Sequence, residues 1–130
     1  PLSGLKGACP VSRDVEVALS SPNRTVEGLM RVGQATDAEW GPRTAINMPA
    51  LVTTVGEMAA ALERVAGPGA AALIDWTPDE HIRRIVRSWP GRVESPRAQA
   101  LGLHADPDFD TVIRDYAHEN AQVVKWPISG

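Results

Sequence analysis

The sequence predicts an α/β fold, in the form of a small α+β lobe with short strands and about five helices. Short β-prone segments alternate along the chain with segments whose apolar residues recur at helical spacing. The 11 glycines and 11 prolines among the 130 residues give these segments sharp boundaries. The segments are too short and too few for a complete doubly wound nucleotide-binding sheet. We therefore expect one small domain over residues 1–130.

The N-terminal segment begins with an expected lead-in loop over residues 1–13, which is rich in glycine and proline and has no apolar period. A strand is predicted at Glu16–Ser20 from its alternating, β-prone residues. Ser21 followed by Pro22 is typical of a helix N-cap with proline at the first helical position. This helix is expected to extend to about Gln34, with a buried face formed by Val26, Leu29, Met30 and Val32.

The middle of the chain contains the most regular pattern. A loop over residues 35–43 and a strand at Thr44–Met48 precede a helix that begins at Thr54. Thr54 and Glu57 have the spacing of a capping box, and the sequence Gly-Pro-Gly from Gly67 is expected to end the helix. The predicted buried stripe of this helix consists of Val55, Met58, Ala59, Leu62 and Val65.

The C-terminal third repeats this alternation with shorter elements. A third strand is predicted over residues 71–76 and a very short fourth strand over residues 91–94. The sequence Thr77-Pro78-Asp79-Glu80 predicts a helix start, and Ser95-Pro96 and Asp106-Pro107 predict two more. Residues 121–130 form an unassigned tail. The predicted buried faces are Ile82, Ile85 and Val86 for the first of these helices, and Phe109, Val112, Ile113 and Tyr116 for the last.

Composition excludes several classes of protein. The formal net charge of −3 gives no reason to expect nucleic acid or an anionic membrane as a partner. No apolar run approaches the roughly 18 to 20 residues that span a bilayer. A single cysteine, Cys9, excludes an internal disulfide or a zinc cluster and fits a reducing cytoplasm. The chain begins at Pro1 without methionine, and we expect it to be excised from a longer polypeptide.

Catalytic patterns are missing from the sequence. The fourth residue after the sole tyrosine, Tyr116, is Asn120, so the tyrosine–lysine dyad of many oxidoreductases is absent. No glycine-rich phosphate-binding motif lies between a strand and a helix. The three histidines are far apart, and Asp106, Asp108 and Asp110 lack the glycine and glutamate of a calcium loop. Glu57 and Glu80 are interpreted as third-position capping residues rather than as an acid–base pair. We therefore expect no catalytic, cofactor-binding or metal-binding residue in this chain.

Arginine is the side chain best suited here to bind an anionic substrate, because its planar fork matches carboxylate and phosphate groups. Most arginines are expected to lie on solvated surface. Arg24 is the strongest candidate, since it follows the predicted cap in Ser-Ser-Pro. The chain has only two lysines, Lys6 and Lys125, but many arginines, among them Arg24, Arg31, Arg43, Arg83, Arg84, Arg87, Arg92 and Arg97.

Three segments together resemble the C-terminal part of the NAD-dependent epimerase/dehydratase family, the extended short-chain dehydrogenases/reductases. They are "LSSPNRTVEGL", "INMPALVTTVGEMAAALERVAG" and "WTPDEHIRRIVRSWPGRVESPRAQALGLHADPDFDTVIRDY". The order of the segments matches the family from about Pro1 to Tyr116, and the D-erythronate dehydrogenase branch is the most similar. The places just before Ser-Ser-Pro, where that branch often has a basic and an aromatic residue, hold Glu16 and Ala18.

The resemblance implies that this chain lacks the Rossmann domain, which in the family binds NAD(P) and carries the catalytic residues. The chain would then be the substrate-binding lobe, not catalytic alone, with an upstream Rossmann domain and a small sugar or sugar acid as partners. The strand and helix start in "VALSSPNR" face the cleft in the family, which implies Ser20, Ser21 and Arg24 as substrate-binding residues. Apolar surface exposed by the missing domain makes a homo-oligomer an option. The alternative is a stand-alone binding or interaction domain that has lost its Rossmann partner.

Overall fold

The computed structural model describes residues 1–42 and 45–130 and confirms the small α+β class. These residues form six helices, one more than expected, and four short strands. In chain order the elements are β1 (Gly7–Cys9), β2 (Glu16–Leu19), α1 (Pro22–Gly33), α2 (Asp37–Trp40), β3 (Leu51–Thr54), α3 (Val55–Ala71), β4 (Ile74–Trp76), α4 (Glu80–Arg87), α5 (Pro96–Ala100) and α6 (Phe109–Glu119).

The strands form two separate pairs, so the described residues contain no Rossmann-like sheet. β1 and β4 are parallel, with Gly7 opposite Ile74, and β2 and β3 are antiparallel, with Glu16 opposite Thr54. β1 lies inside residues 1–13, which the sequence predicts as a loop, so that prediction is wrong at this point. Three residues are too few to show a period of two, and the partner strand of β1 lies far away in the sequence.

Two other predicted strands are absent. Thr44 lies outside the described residues, and residues 45–48 and 91–94 are not in strands. Ile46 and Met48 instead pack against a small cluster of Ala98, Leu101 and Leu103, which explains their alternating apolar pattern without a ladder of hydrogen bonds. The strand in this region is β3, directly before α3.

Helix boundaries follow the capping residues. Two predicted caps are two residues too early, because Pro78 and Pro107 are not the first helical residues. Asp79 caps α4 through a side-chain oxygen that accepts two backbone N–H groups, and Asp108 caps α6 through one that accepts the N–H of Thr111. Glu80 is therefore the first helical residue, and its carboxylate binds Arg83 at 2.7 Å rather than capping the helix.

The capping box predicted for α3 is half present. The hydroxyl oxygen of Thr54 accepts the N–H of Glu57 at 3.1 Å, but the carboxylate of Glu57 accepts a hydrogen bond from Arg64. A complete capping box instead begins α2, between Thr36 and Glu39, inside the predicted loop at residues 35–43. Gly67 breaks α3 as predicted, with a φ of 83° that favours glycine.

The core lies between α3 and α6. As predicted, α3 buries Ala59, Leu62 and Val65, and α6 contributes Ile113. The tail over residues 121–130 has no helix or strand, yet Trp126 and Ile128 pack against this core. The tail is therefore a part of the packed domain.

Most of the apolar residues predicted to be buried in α1 and α4 are exposed, although Val32 and Val86 are partly buried and Val32 packs against the small cluster of Ala98, Leu101 and Leu103. The only buried residue of α1 is Gly28, and α4 has none. Apolar spacing predicts an amphipathic helix but carries no information on what covers its apolar face. The exposed residues are Val26, Leu29 and Met30 on α1, and Ile82 and Ile85 on α4 followed by Trp89.

Candidate functional site

The candidate substrate-binding residues lie at the junction between β2 and α1. The strand ends at Leu19, and the helix begins at Pro22 because Ser21 caps it. The hydroxyl oxygen of Ser21 accepts the backbone N–H of Arg24 at 3.2 Å, one of the N–H groups that a helix start leaves without a partner in the helix. The sequence therefore correctly predicts this cap.

A buried carboxylate fixes Ser21. Oδ2 of Asp106 accepts the backbone N–H of Ser21, and Oδ1 accepts its hydroxyl, both at 2.7 Å. The exposed fractions are 5% for Ser21 and 6% for Asp106. The hydroxyl group of Ser21 thus has both an acceptor and a donor inside the protein, and it positions the start of α1.

Ser20 and Arg24 are closer to solvent than Ser21. The Ser20 hydroxyl accepts a hydrogen bond from the hydroxyl of Thr25 at 3.3 Å. The side chain of Arg24 is 36% exposed and donates to Glu27 at 2.7 Å. The hydrogen bond to Glu27 and the charge of that carboxylate raise the pKa of Arg24, with smaller contributions from Asp106 and Asp115. Arg24 therefore keeps its positive charge, and its partly exposed guanidinium carries hydrogen-bond donors on the first turn of α1.

Other arginines are engaged in structural contacts. Arg31 pairs with Glu39 in α2, and Arg83 pairs with Glu80. Arg97 donates to the carbonyls of Trp40 and Ala45. Arg43 lies outside the described residues. Arg24 is paired in the same way with Glu27, and it is the candidate here because it lies in the first turn of α1.

The described strand–helix junctions lack the loop of a dinucleotide site. The turns from β2 to α1 and from β4 to α4 contain serine, proline, threonine and aspartate, and β3 continues directly into α3. None of these strand–helix junctions has the glycine-rich loop that brings backbone N–H groups against a pyrophosphate, so they do not fit NAD(P).

A catalytic dyad is also absent. Tyr116 is 47% exposed on α6, and Asn120, at the position of the lysine in such a dyad, donates to the carbonyl of Tyr116 at 2.9 Å. Among the described residues, no group of three or more histidine, cysteine, aspartate or glutamate side chains is arranged to hold a metal ion. No described helix combines the length and apolar character needed to cross a membrane.

Sequence reasoning missed Asp106 as a residue of this site. Its position before Pro107 suggested a helix cap, whereas the structure brings it to Ser21 from 85 residues away. The local sequence contains no signal for this contact. Near Asp106 in the chain, a depression of about 380 Å³ is lined by apolar residues together with the polar side chains of Ser95, Gln99 and His104.

The chain is 36% identical over 119 residues to a D-erythronate dehydrogenase from Cupriavidus necator, covering 92% of this chain and 37% of that protein. It is 35% identical over 116 residues to a D-erythronate dehydrogenase from Haemophilus influenzae, covering 89% of this chain and 37% of that protein. No family model matches the chain.

Solved structures agree with these relatives. A nucleoside-diphosphate-sugar epimerase from Agrobacterium tumefaciens superimposes with a TM-score of 0.89 at 34% identity, covering 94% of this chain and 36% of that one. This chain belongs to the NAD-dependent epimerase/dehydratase family. It corresponds to a C-terminal part of the family's enzymes and spans about 37% of the length of the relatives it matches.

Proposed function

We propose that this chain is the substrate-binding C-terminal domain of an NAD(P)-dependent dehydrogenase or epimerase that acts on a sugar or sugar acid. The observation that carries the proposal is the 36% identity to a D-erythronate dehydrogenase over 119 residues. An upstream Rossmann domain supplies the cofactor site and the catalytic residues, because the described strand–helix junctions do not fit a dinucleotide. In this proposal the enzyme is cytoplasmic and belongs to carbohydrate metabolism.

Ser20 and Arg24 are the groups that contact substrate in this proposal, and Ser21 positions them. The guanidinium of Arg24 suits the carboxylate of a sugar acid, and the hydroxyl of Ser20 suits a sugar hydroxyl. Asp106 stabilises the arrangement by holding Ser21 through two hydrogen bonds. Ser20 directly precedes the N-cap of α1, and Arg24 lies in the first turn of that helix. A shift of this turn therefore moves both side chains.

The test uses the product of the complete reading frame that encodes this chain. With D-erythronate and related sugar acids as substrates, we expect this protein to reduce NAD(P). The reduction is measured by the absorbance of the reduced nicotinamide. Arg24→Met removes a charge-assisted hydrogen bond and should raise KM about tenfold or more. Arg84→Met on α4, which is exposed, is the matched control and should leave KM unchanged.

The 130-residue chain provides the second arm. A ligand raises the melting temperature only of a protein that binds it, so NAD should not shift the Tm of the chain alone. The longer product should show a clear rise. An NAD-dependent rise in the Tm of the isolated chain would contradict the assignment of the cofactor site to an upstream domain. An unchanged KM in Arg24→Met would contradict the role of Arg24 in substrate binding. A longer product that lacks cofactor binding altogether would favour the stand-alone binding domain.

A further inference from the structure

The depression of about 380 Å³ near Asp106 is lined by α5 and by the loop that precedes β3. Ser95, the N-cap of α5, and Gln99 within that helix contribute polar side chains, and His104 contributes a third from the segment after the helix. Pro49 and Leu103 belong to its apolar part. None of the described residues that line it is an aspartate, glutamate, lysine or arginine. The depression is therefore concave and carries no carboxylate, ammonium or guanidinium group.

The hydroxyl of Ser95 is the least satisfied polar group of this surface. Ser95 is only 6% exposed, yet its side chain does not cap α5 and has no hydrogen bond to any described residue. Among the described residues, the only buried side-chain nitrogen or oxygen that is shut off from solvent without a partner is Nε of Arg83. The Ser95 hydroxyl therefore reaches solvent, and it does so at a concave surface. A molecule that binds it gains a hydrogen bond without breaking one inside the protein.

Two further side chains can contact the same molecule. The N–H of Gln99 donates to the carbonyl of Ser95 at 3.0 Å, so the two side chains lie one helical turn apart on one face of α5. Gln99 and His104 are exposed, and their side chains have no hydrogen bond to a described residue. A smaller depression of about 240 Å³, which Ser95 also lines, differs because Asn47 and Arg97 there already donate to backbone carbonyls. The larger depression is thus the one with hydrogen-bonding capacity left.

These polar groups select the chemical class of the ligand. The hydroxyl of Ser95, the amide of Gln99 and the neutral imidazole of His104 each provide both a donor and an acceptor. Hydroxyl groups of a ligand also donate and accept, so they match all three whichever way each bond is directed. Pro49 and Leu103 offer apolar surface to the carbon chain that carries such hydroxyls.

Charge argues against an anionic ligand at this place. An anion that leaves water needs a positive partner, and no lysine or arginine lines the depression. Asp106, which follows the lining residue Ala105, is a buried carboxylate whose oxygens accept two hydrogen bonds from Ser21. A second carboxylate close to Asp106 would be repelled. The first turn of α1 is different, because Arg24 offers a positive charge there.

We propose that this depression binds a small neutral polyol or sugar through Ser95, Gln99 and His104. Its volume of about 380 Å³ lies within the range of about 300 to 1,000 Å³ that is usual for small-molecule sites. The inference does not depend on the proposed function, because it uses neither Arg24 nor an upstream domain.

Erythritol and D-erythronate are matched probes, because they share a hydroxylated chain and differ only by the carboxylate at one end. Each is titrated at pH 8 into the product of the complete reading frame, and binding is followed by NMR through the imidazole signal that His104→Gln removes. We expect erythritol to bind with a Kd of about 1 to 10 mM, and D-erythronate to shift this signal with a Kd at least about fivefold higher.

Substitutions separate a binding role of Ser95 from a structural one. Ser95→Ala should raise the Kd of erythritol about five- to tenfold, because one hydrogen bond is lost. The Tm without ligand should not fall, since that hydroxyl has no partner in the described residues. Gln99→Met keeps the length of the side chain and should raise the Kd about threefold or more. Ser88→Ala, at an exposed serine after α4, is the control and should leave the Kd unchanged.

Other results overturn the inference. An imidazole signal of His104 that stays fixed up to about 100 mM erythritol means that only water occupies the depression. An unchanged Kd or a lowered Tm in Ser95→Ala removes the hydroxyl from the site, and tighter binding of D-erythronate than of erythritol contradicts the neutral class. Binding of erythritol by a protein that does not oxidise D-erythronate supports this site and contradicts only the proposed function. Oxidation of D-erythronate without binding of erythritol has the opposite meaning.

Discussion

At the scale of single residues, the contact between Ser21 and Asp106 joins the start of α1 to the segment before α6. Both groups are buried, and the two hydrogen bonds of 2.7 Å satisfy the carboxylate and the Ser21 donors together. Removing one partner therefore leaves the other with unsatisfied polar atoms in the interior, which costs more free energy than an exposed hydrogen bond contributes.

We expect Asp106→Ala to lower the free energy of unfolding by about 2 to 3 kcal/mol, measured by chemical denaturation, because the N–H and hydroxyl of Ser21 lose their acceptor. Asp106→Asn keeps one acceptor oxygen and should cost less. Asp115→Ala, an exposed aspartate on α6, is the control and should change stability by about 0.5 kcal/mol or less. Equal effects of Asp106→Ala and Asp115→Ala would show that the buried pair contributes nothing.

The same pair shows which part of the site can be predicted from sequence. Ser21 as a cap follows from Ser-Pro at a helix start, a rule that acts over four residues. Asp106 cannot be found this way, because the identical pattern of aspartate before proline also begins helices, and its partner is decided by the tertiary fold. Assigning Ser20 and Arg24 to substrate depends on the resemblance to the family and stays a prediction.

At the scale of elements, a bidentate ion pair connects α3 to α6. Arg64 donates to Oδ2 of Asp110 from Nε at 3.0 Å and to Oδ1 at 2.5 Å, and it also binds Glu57 at 2.7 Å. The hydrogen bonds from Arg64 lower the pKa of Asp110, and the charges of Arg64 and Arg114 act in the same direction. The helices that form the core are thus also held by charge at their edge.

This pair predicts a pH dependence of stability. The folded state lowers the pKa of Asp110, so its contribution is present above the unfolded pKa, near 3.9, and disappears as the pH falls through the folded pKa. Asp110→Asn should therefore reduce the free energy of unfolding at pH 7 by about 0.5 to 1 kcal/mol, since Arg64 is half exposed. At a pH below the folded pKa, the variant and the original chain should become equally stable.

Arg64→Met is the matching variant, because it removes the same interaction from the other helix. Denaturation curves across the acid range should show a similar profile for both variants, and the double variant should lose less than the sum of the two. A difference between Asp110→Asn and the original chain that stays constant down to the lowest pH would contradict a role of the carboxylate charge.

Elements differ in how far local sequence predicts them. Three of the five residues predicted for the buried stripe of α3 are buried, Ala59, Leu62 and Val65, because this face of α3 packs against α6. The stripes of α1 and α4 have equally good spacing, but most of their residues are exposed. β1 and β3 escaped prediction for another reason, since strands of three or four residues are defined by their partners rather than by their own pattern.

At the scale of the whole molecule, the tail brings the two ends of the chain together. Nε1 of Trp126 donates to the carbonyl of Pro1 at 2.9 Å, and the N–H of Lys125 donates to the carbonyl of Leu2 at 2.9 Å. The N–H of Ser129 donates to Val65 in the core at 2.8 Å. The ring of Trp126 lies so close to Gly69 that a Cβ there would be 2.6 Å from it. Composition alone could not predict this tail, because its few apolar residues have no period.

The contacts of Trp126 predict that the tail stabilises the entire domain. Trp126→Ala removes a partly buried ring from the core and the donor to Pro1, and should lower the free energy of unfolding by about 2 to 3 kcal/mol. Trp126→Phe keeps most of the ring contact and loses the hydrogen bond, and should cost about 1 kcal/mol. Trp89→Ala is the matched control, since Trp89 is 61% exposed, and should change stability by about 0.5 kcal/mol or less. A tail that only covered the surface would instead give Trp126→Ala the same small effect as Trp89→Ala.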